Sequence, residues 1–217
     1  MELECLKENI QPIISIAEKL TGKNISLPIL QTVLLSVDNN KIFIKATNLE
    51  VGFEGEIKGK IIKPGKVAVD AKTLSLLLNN LPKNEKIKIK TEEGNLLIKS
   101  TKTTTILKGY LVDDFPIIPK ADGDKNIINN NVLINGIKSV IYAGSTLNIK
   151  PEISSVYIYY NNGDYIFVST DSFRLAEKRY SEKKDNEVNS LIIPLKNSLE
   201  IIKVFESTNL PITIQNN

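Results

Sequence analysis

The side chains that most often carry catalysis are scarce in this chain of 217 residues. It has no histidine, the commonest general base and metal ligand. It also lacks a Cys-x-x-Cys pair, a Gly-x4-Gly-Lys-Ser/Thr loop and a Gly-x-Gly-x-x-Gly turn, so zinc, nucleoside triphosphate and dinucleotide sites have no local signature. We therefore predict no catalytic residue, no metal and no cofactor.

Paired carboxylates are the remaining residues that could hold a metal ion. They occur at Glu92–Glu93, Asp113–Asp114 and Asp122–Asp124, all in predicted turns or in a linker, where solvated acids are usual. The alternative of a metal-dependent nuclease stays open at this point, because residues distant in sequence can still meet in a fold.

The lysines point to surface recognition. Lys72 opens a predicted helix and Lys196 opens its counterpart, while Lys23 and Lys150 each precede one of two matched prolines. Lysines that recur in this way could neutralise a polyanion of regular spacing. Each one taken alone also fits an ordinary solvated surface.

Only two arginines, Arg174 and Arg179, stand among the many lysines. A planar guanidinium with five donors fixes geometry in a way that an ammonium group does not. Each arginine could pin a turn through backbone carbonyls or bind a ligand, and both interpretations stay open.

The elements that must position these side chains occur twice. Residues 27–51 align with residues 150–174 at an offset of 123, without a gap. The matched pairs are Pro28/Pro151, Leu30/Ile153, Val33/Val156, Leu35/Ile158, Ile42/Tyr165, Ile44/Phe167 and Thr47/Thr170. A repeat of this length indicates two copies of one domain.

Hydrophobic periodicity predicts an α+β fold in each copy, with helices on one face of the sheet. In the first copy it predicts strand 3–5, a helix after Asn9 with Pro12 in its first turn, strands 33–37, 42–46 and 67–69, a helix 71–80 capped by Asp70, and strands 86–90, 96–100 and 103–107. In the second copy it predicts strand 132–134, helix 136–143, the hairpin 156–160 and 165–169, strand 191–193 and helix 195–206.

The two copies are predicted to be joined by a linker at 113–131, with the domain boundary at 119–125. After Leu81–Pro82 the first copy continues into three strands, whereas the sequence stops soon after the matching Leu210–Pro211. We therefore expect a fragment of a longer protein, because a domain cut within its sheet leaves an open edge.

Composition indicates a globular protein, with 41% apolar and 24% charged residues. We expect a cytoplasmic location, because no apolar run is long enough for a membrane span and Glu2 and Glu4 stand where a signal peptide carries basic residues. The single cysteine, Cys5, cannot form an intrachain disulfide, and its alternation with Leu3 favours a small core residue without redox chemistry.

Four segments give the chain a resemblance to a known family. Leu-Pro-Ile-Leu at 27–30, Ala-Thr-Asn-Leu-Glu at 46–50, Asp-Phe-Pro at 114–116 and Ser-Thr-Asp-Ser-Phe-Arg-Leu-Ala at 169–176 resemble, in order and spacing, signature segments of the bacterial sliding clamp, the beta subunit of DNA polymerase III. The last segment is the most specific, and the resemblance covers the whole chain.

The resemblance implies a DNA-clamp fold, in which two subunits of three like domains form a ring with outer antiparallel sheets and inner helices around duplex DNA. This chain would hold clamp domain I at 1–120 and most of domain II at 127–217, with domain III absent. It implies a non-catalytic processivity factor that contacts DNA without regard to sequence. The implied partners are the polymerase catalytic subunit, the clamp loader, other clamp-binding proteins and, for the full-length protein, a second copy.

The resemblance also assigns residues to three surfaces. The residues placed toward DNA are Lys23, Asn24, Lys72, Lys150 and Lys196. The residues placed in a pocket for partner peptides are Ile153, Thr170, Ser172, Phe173, Arg174 and Leu175. The residues placed at the contact between subunits are Thr105 and Leu107. The chain departs from the family at Phe173, where histidine is common, and near Asn24, where an arginine is common.

A function of another class also fits the composition. A β-rich intracellular scaffold or interaction module without DNA binding would need no catalytic residues either. Salt-dependent binding to nonspecific duplex DNA separates this alternative from a clamp.

Overall fold

A computed structural model describes residues 1–22, 27–38, 40–119, 125–147, 150–182, 190–206 and 212–215. The chain divides into two units, Met1–Pro119 and Lys120–Asn217. In the ranges described, no helix is long and apolar enough to cross a membrane.

The described part of the first unit is built from antiparallel strands and two α-helices. Its strands are β1 (Glu2–Leu6), β2 (Thr32–Asp38), β3 (Lys41–Thr47), β4 (Gly52–Ile57), β5 (Lys60–Lys63), β6 (Gly65–Asp70), β7 (Lys86–Glu92), β8 (Asn95–Lys99), β9 (Thr104–Leu107) and β10 (Gly109–Tyr110). Its helices are α1 (Lys7–Leu20) and α2 (Ala71–Asn80), with 3-10 turns at Pro28–Gln31 and Val112–Asp114. The strands form two sheets, in the orders β5-β1-β7-β8-β9 and β10-β6-β2-β3-β4.

One hydrophobic core joins both sheets and both helices of this unit. Alternating strand residues such as Leu3, Leu35 and Ile89 meet the apolar stripe of α1, which includes Ile10 and Ile14. All five side chains are fully buried.

A smaller cluster packs on the opposite face of the sheet that contains β2. Phe115 is buried there against Leu34 of β2 and Ala68 of β6. The aromatic residue of the Asp-Phe-Pro segment therefore fastens the end of the first unit to its own sheet.

The two helices of the first unit differ in how well the sequence predicted them. Helix α2 has the predicted bounds, and Asp70 caps it by accepting a hydrogen bond from the amide of Thr73 at 2.7 Å. Helix α1 begins at Lys7, before Asn9, so the prediction that Pro12 lies in the first turn was wrong. Pro12 lies in the second turn, where it lacks the N–H that would bond to the carbonyl of Glu8.

The described part of the second unit repeats this order. Its strands are β11 (Lys125–Ile128), β12 (Ser155–Asn161), β13 (Asp164–Thr170), β14 (Leu175–Ser181), β15 (Leu191–Pro194) and β16 (Ile212–Gln215). Its helices are α3 (Asn130–Val140), followed by a 3-10 turn at Ile141–Ala143, and α4 (Leu195–Phe205). One sheet has the order β14-β13-β12-β15, and β11 pairs with β16.

The coordinates confirm the repeat that the sequence predicts. Strands β12 and β13 begin 123 residues after β2 and β3, and the cross-strand pairs Leu34–Lys45 and Tyr157–Val168 differ by the same offset. The sheet orders β6-β2-β3-β4 and β15-β12-β13-β14 also correspond. Both predicted hairpins are therefore present, although Asn39 in the first turn lies outside the described residues.

Three predictions for the second unit need correction. The strand predicted at 132–134 is wrong, because these residues lie inside α3. Their short apolar run also continues to Ile137 and Val140 with helical spacing, and Leu133, Ile137 and Val140 are buried in the core of this unit. The predicted linker at 113–131 was too long, since β11 and the start of α3 lie within it. The helix predicted at 136–143 instead spans Asn130–Val140. Strands β4, β5 and β10 of the first unit and β11, β14 and β16 of the second unit were not predicted.

Candidate binding sites

The turn between β13 and β14 folds its side chains back on its own backbone. The Thr170 hydroxyl donates to the Arg174 carbonyl oxygen at 2.6 Å and accepts from the amide of Ser172 at 3.1 Å. Ser172 has a φ of 76°, in the left-handed region that non-glycine residues seldom occupy. Side-chain hydrogen bonds therefore hold a turn that the backbone alone disfavours.

Asp171 is the second anchor of this turn. Its Oδ1 atom accepts hydrogen bonds from the amides of Phe173 and Arg174, both at 3.0 Å. The hydrogen bond from the Phe173 amide is the largest cause that lowers the pKa of the Asp171 carboxyl below its ordinary value.

The side chain of Arg174 pairs with this carboxylate. Its Nε atom donates to Oδ2 of Asp171 at 3.0 Å. No described residue accepts a hydrogen bond from its two terminal nitrogens, so Arg174 pins no backbone carbonyl of the described residues. The guanidinium is exposed and keeps donors for a ligand.

The apolar residues of the turn lie at the surface. Phe173 is 97% exposed and Leu175 is 65% exposed, so neither side chain belongs to the core. Ile153 is half-buried where the chain enters β12, and this end of β12 lies beside the end of β13. The structure thus brings Ile153 to the same end of the hairpin as Thr170 and the turn.

The first unit contains the same turn, 123 residues earlier. The Thr47 hydroxyl donates to the Val51 carbonyl oxygen at 2.9 Å and accepts from Leu49, whose φ is 74°. Oδ1 of Asn48 accepts from the amides of Glu50 and Val51 at 3.0 and 2.8 Å. The turn is therefore part of the repeated domain, and its arginine is specific to the second unit.

The lysines predicted to face DNA are exposed where the structure describes them. Lys72 lies in the first turn of α2 and Lys196 in the first turn of α4, and Lys150 immediately precedes Pro151. Lys23 and Asn24 lie outside the described residues.

Acidic groups adjoin Lys72. It lines a surface cleft of about 650 Å³ at the ends of α1 and α2, together with Glu18, Lys19 and Asp70. The local potential at this cleft is therefore mixed in sign, which favours weak contact with phosphate over tight contact.

Two other helix lysines of the second unit are engaged by carboxylates. Lys138 of α3 lies 2.6 Å from a carboxylate oxygen of Glu206, and Lys203 of α4 lies 2.9 Å from Glu200. These lysines are less available to a polyanion, because their charges already have partners.

The predicted subunit contact falls on an edge strand. β9 pairs with β8, and no other described strand pairs with its free side. Thr105 is half-buried, but the side chain of Leu107 is 8% exposed and belongs to the core. Leu107 is therefore part of the core, whereas the neighbouring Ile106 offers an exposed side chain.

The carboxylates and the cysteine form no reactive cluster in the part of the chain that the structure describes. No group of three or more His, Cys, Asp or Glu residues there could hold a metal ion. The predicted cluster Asp122–Asp124 lies outside the described residues. Cys5 is buried, as predicted, and burial raises the pKa of its thiol to about 12.

Comparison with known proteins decides the family. Residues 1–119 match the family model of the DNA polymerase III beta subunit N-terminal domain, and residues 127–217 match that of its central domain. This chain belongs to the DNA polymerase III beta subunit family.

Individual members of the beta subunit family agree with this assignment. A beta sliding clamp of Buchnera aphidicola is 26% identical over 207 residues, which is 94% of this chain and 55% of that protein. One of Treponema pallidum is 28% identical over 201 residues, covering 90% of this chain and 54% of that protein. This chain thus spans about half the length of these relatives.

A solved beta subunit shares the fold. The crystal structure of the DNA polymerase III subunit beta from Pseudomonas aeruginosa superposes with a TM-score of 0.91 at 23% identity, over 99% of this chain and 59% of that one. At 23% identity, this superposition establishes only that the two chains share a fold.

Sequence reasoning missed one residue of the second-unit turn. Asp171 lies in the segment at 169–176, and no spacing pattern there indicates the three hydrogen bonds that its carboxylate accepts. The repeat offered a signal, since Asn48 occupies the corresponding position of the first unit.

Proposed function

We propose that this chain is part of a sliding clamp that encircles duplex DNA and tethers DNA polymerase III to its template. The observation that carries the proposal is the match of two successive beta subunit domains, in family order, over nearly the whole chain. We assign 1–120 to clamp domain I and 127–217 to clamp domain II. The additional length of the relatives leaves room for a third domain.

A tether of this kind performs no chemistry. It acts by position and topology, and so it needs no nucleophile, general base or metal.

The proposed contact with DNA is electrostatic and loose. The exposed lysines in equivalent or neighbouring segments of the repeat are Lys72, Lys150 and Lys196. We place them at the phosphates of DNA, and we propose the same position for Lys23 and Asn24. Ammonium groups on long flexible stems suit a protein that must slide, because phosphate contacts carry no sequence information.

The proposed site for partner peptides is the turn after β13. Its members are Ile153, Thr170, Ser172, Phe173, Arg174 and Leu175. Exposed apolar side chains beside an oriented guanidinium are the combination that a short peptide needs, because the former supply buried area and the latter fixes direction. The polymerase catalytic subunit, the clamp loader and other clamp-binding proteins would share it.

The proposed contact between subunits is the free edge of β9. A strand with an unpaired side can add a strand from a second copy, and we place Thr105 and Leu107 at this contact, with Ile106 supplying an exposed apolar side chain. A scaffold without DNA binding is not favoured by the family match.

The test is binding to two duplexes of equal length and unrelated sequence, measured by fluorescence anisotropy. A clamp segment should bind both with the same affinity, since it reads phosphate and not base edges. Binding to neither duplex, or a strong preference for one sequence, would contradict the proposal.

A further inference from the structure

The repeat provides an internal comparison for the turn that carries Arg174. Asn48 in the first unit and Asp171 in the second accept the same two backbone hydrogen bonds through Oδ1. An amide is therefore sufficient to form this turn. The two backbone hydrogen bonds therefore do not explain why residue 171 has a carboxylate.

The difference between the two turns lies in the residue that follows. The first unit has Val51 where the second has Arg174. The second carboxylate oxygen of Asp171 receives the Nε–H of Arg174 at 3.0 Å, a charge-assisted bond that an amide oxygen cannot match. The carboxylate thus appears in the unit that has an arginine to hold.

The bond also restricts what the guanidinium can do. A free arginine side chain loses rotamer entropy when a ligand immobilises it. Anchoring at Nε removes part of that freedom before binding and leaves the two terminal nitrogens for a partner. The neighbouring residues Phe173 and Leu175 also have exposed side chains.

We propose that Asp171 is a positioning residue of the peptide site, which shapes the turn through Oδ1 and orients Arg174 through Oδ2. This inference rests on the proposed function, because it assumes that the turn binds partner peptides. It assigns the aspartate a role in preorganisation, separate from any direct contact with the peptide.

The experiment compares Asp171→Asn with Asp171→Ala. The probe is a fluorescently labelled clamp-recognition peptide from the polymerase catalytic subunit, titrated by anisotropy. Asp171→Asn keeps the turn, as Asn48 does, but loses the ionic tether, so affinity should fall by about two- to fivefold. Asp171→Ala loses both the backbone hydrogen bonds of the turn and the ionic tether, so the affinity for the peptide should fall by about tenfold.

Two further measurements separate positioning from general structure. In an Arg174→Ala background, Asp171→Asn should cause no additional loss, because its effect acts through the arginine. The Nε–H signal of Arg174 in nitrogen-15 NMR should move in Asp171→Asn. The matched control is Glu177→Gln, which removes the carboxylate that lies 2.7 Å from Nε of Arg179. It should leave the peptide affinity and the Nε–H signal of Arg174 unchanged.

The inference is overturned if Asp171→Asn binds the peptide like the parent, or if its effect persists undiminished without Arg174. If the parent chain binds no peptide at all, the proposed pocket fails and the positioning role fails with it. The NMR signal distinguishes the cases, since it reports the Asp171–Arg174 bond whether or not a peptide binds.

Discussion

Replacing Gly136 with alanine tests how closely helix α3 approaches its sheet. A Cβ atom at this position would lie 2.4 Å from two ring atoms of Phe167 and 2.6 Å from a third. Carbon atoms in favourable contact are separated by about 3.5–4.0 Å, so the ring or the helix would have to move by roughly 1 Å. Phe167 is fully buried in the core of the second unit, so its ring is surrounded by other side chains.

Two opposing effects determine how much Gly136→Ala changes the free energy of unfolding. Alanine is favoured over glycine in a helix interior by about 1 kcal/mol. Overpacking a filled core costs about 1–3 kcal/mol, and the short distances here place Gly136→Ala near the upper end. We therefore expect a net loss of roughly 2 kcal/mol in the free energy of unfolding.

The assay is urea unfolding followed by circular dichroism and by tyrosine fluorescence. Asn135→Ala is the matched control, because this neighbouring side chain is exposed and the same helix propensity should make that variant slightly more stable. Adding Phe167→Leu to Gly136→Ala should restore part of the loss, since a smaller side chain relieves the clash. A Gly136→Ala variant as stable as the parent would refute the close approach.

Three further predictions concern other surfaces. Arg174→Ala and Leu175→Ala should each weaken binding of a labelled clamp-recognition peptide without unfolding the chain, because both side chains are exposed; unchanged affinity in folded variants would remove them from the site. Light scattering should report a monomer or a weak, concentration-dependent dimer that Ile106→Lys abolishes, because a single exposed strand edge is a small contact; a tight dimer would argue against it. Cys5 should resist a thiol reagent at pH 8 in the folded chain and react once urea unfolds the chain. Burial raises the pKa of the thiol to about 12, whereas the pKa of an unfolded cysteine is about 8.5. Rapid labelling of the folded chain would show that the thiol is accessible.

Elements with a clean apolar pattern could be predicted from the sequence. The hairpins and α2 followed from alternation, helical spacing and the cap at Asp70. Strand β14 escaped prediction because Glu177, Lys178 and Arg179 follow one another in it, so polarity does not alternate. Strand β4 carries two glycines, which lower strand propensity.

The candidate sites were predicted only in part, for a similar reason. A motif can identify the turn at 169–176, but the three bonds of Asp171 depend on a backbone geometry that no spacing rule encodes. The pairing of Lys138 with Glu206 joins residues 68 positions apart, and only the fold brings them together. Charge counted along the sequence therefore overstates the number of lysines available to DNA.

The most direct test of the central claim is the salt dependence of binding to duplex DNA. For lysines that neutralise phosphates, log K should fall linearly with log salt, with a slope of about −0.9 for each phosphate. Lys72→Ala combined with Lys196→Ala should reduce the steepness by about 1.8, without creating any base preference. The control is Lys138→Ala with Lys203→Ala in α3 and α4, two helix lysines that the proposal does not place toward DNA and whose loss should change the slope little. A slope in the Lys72/Lys196 variant identical to that of the parent would contradict the proposal that these helix ends face DNA.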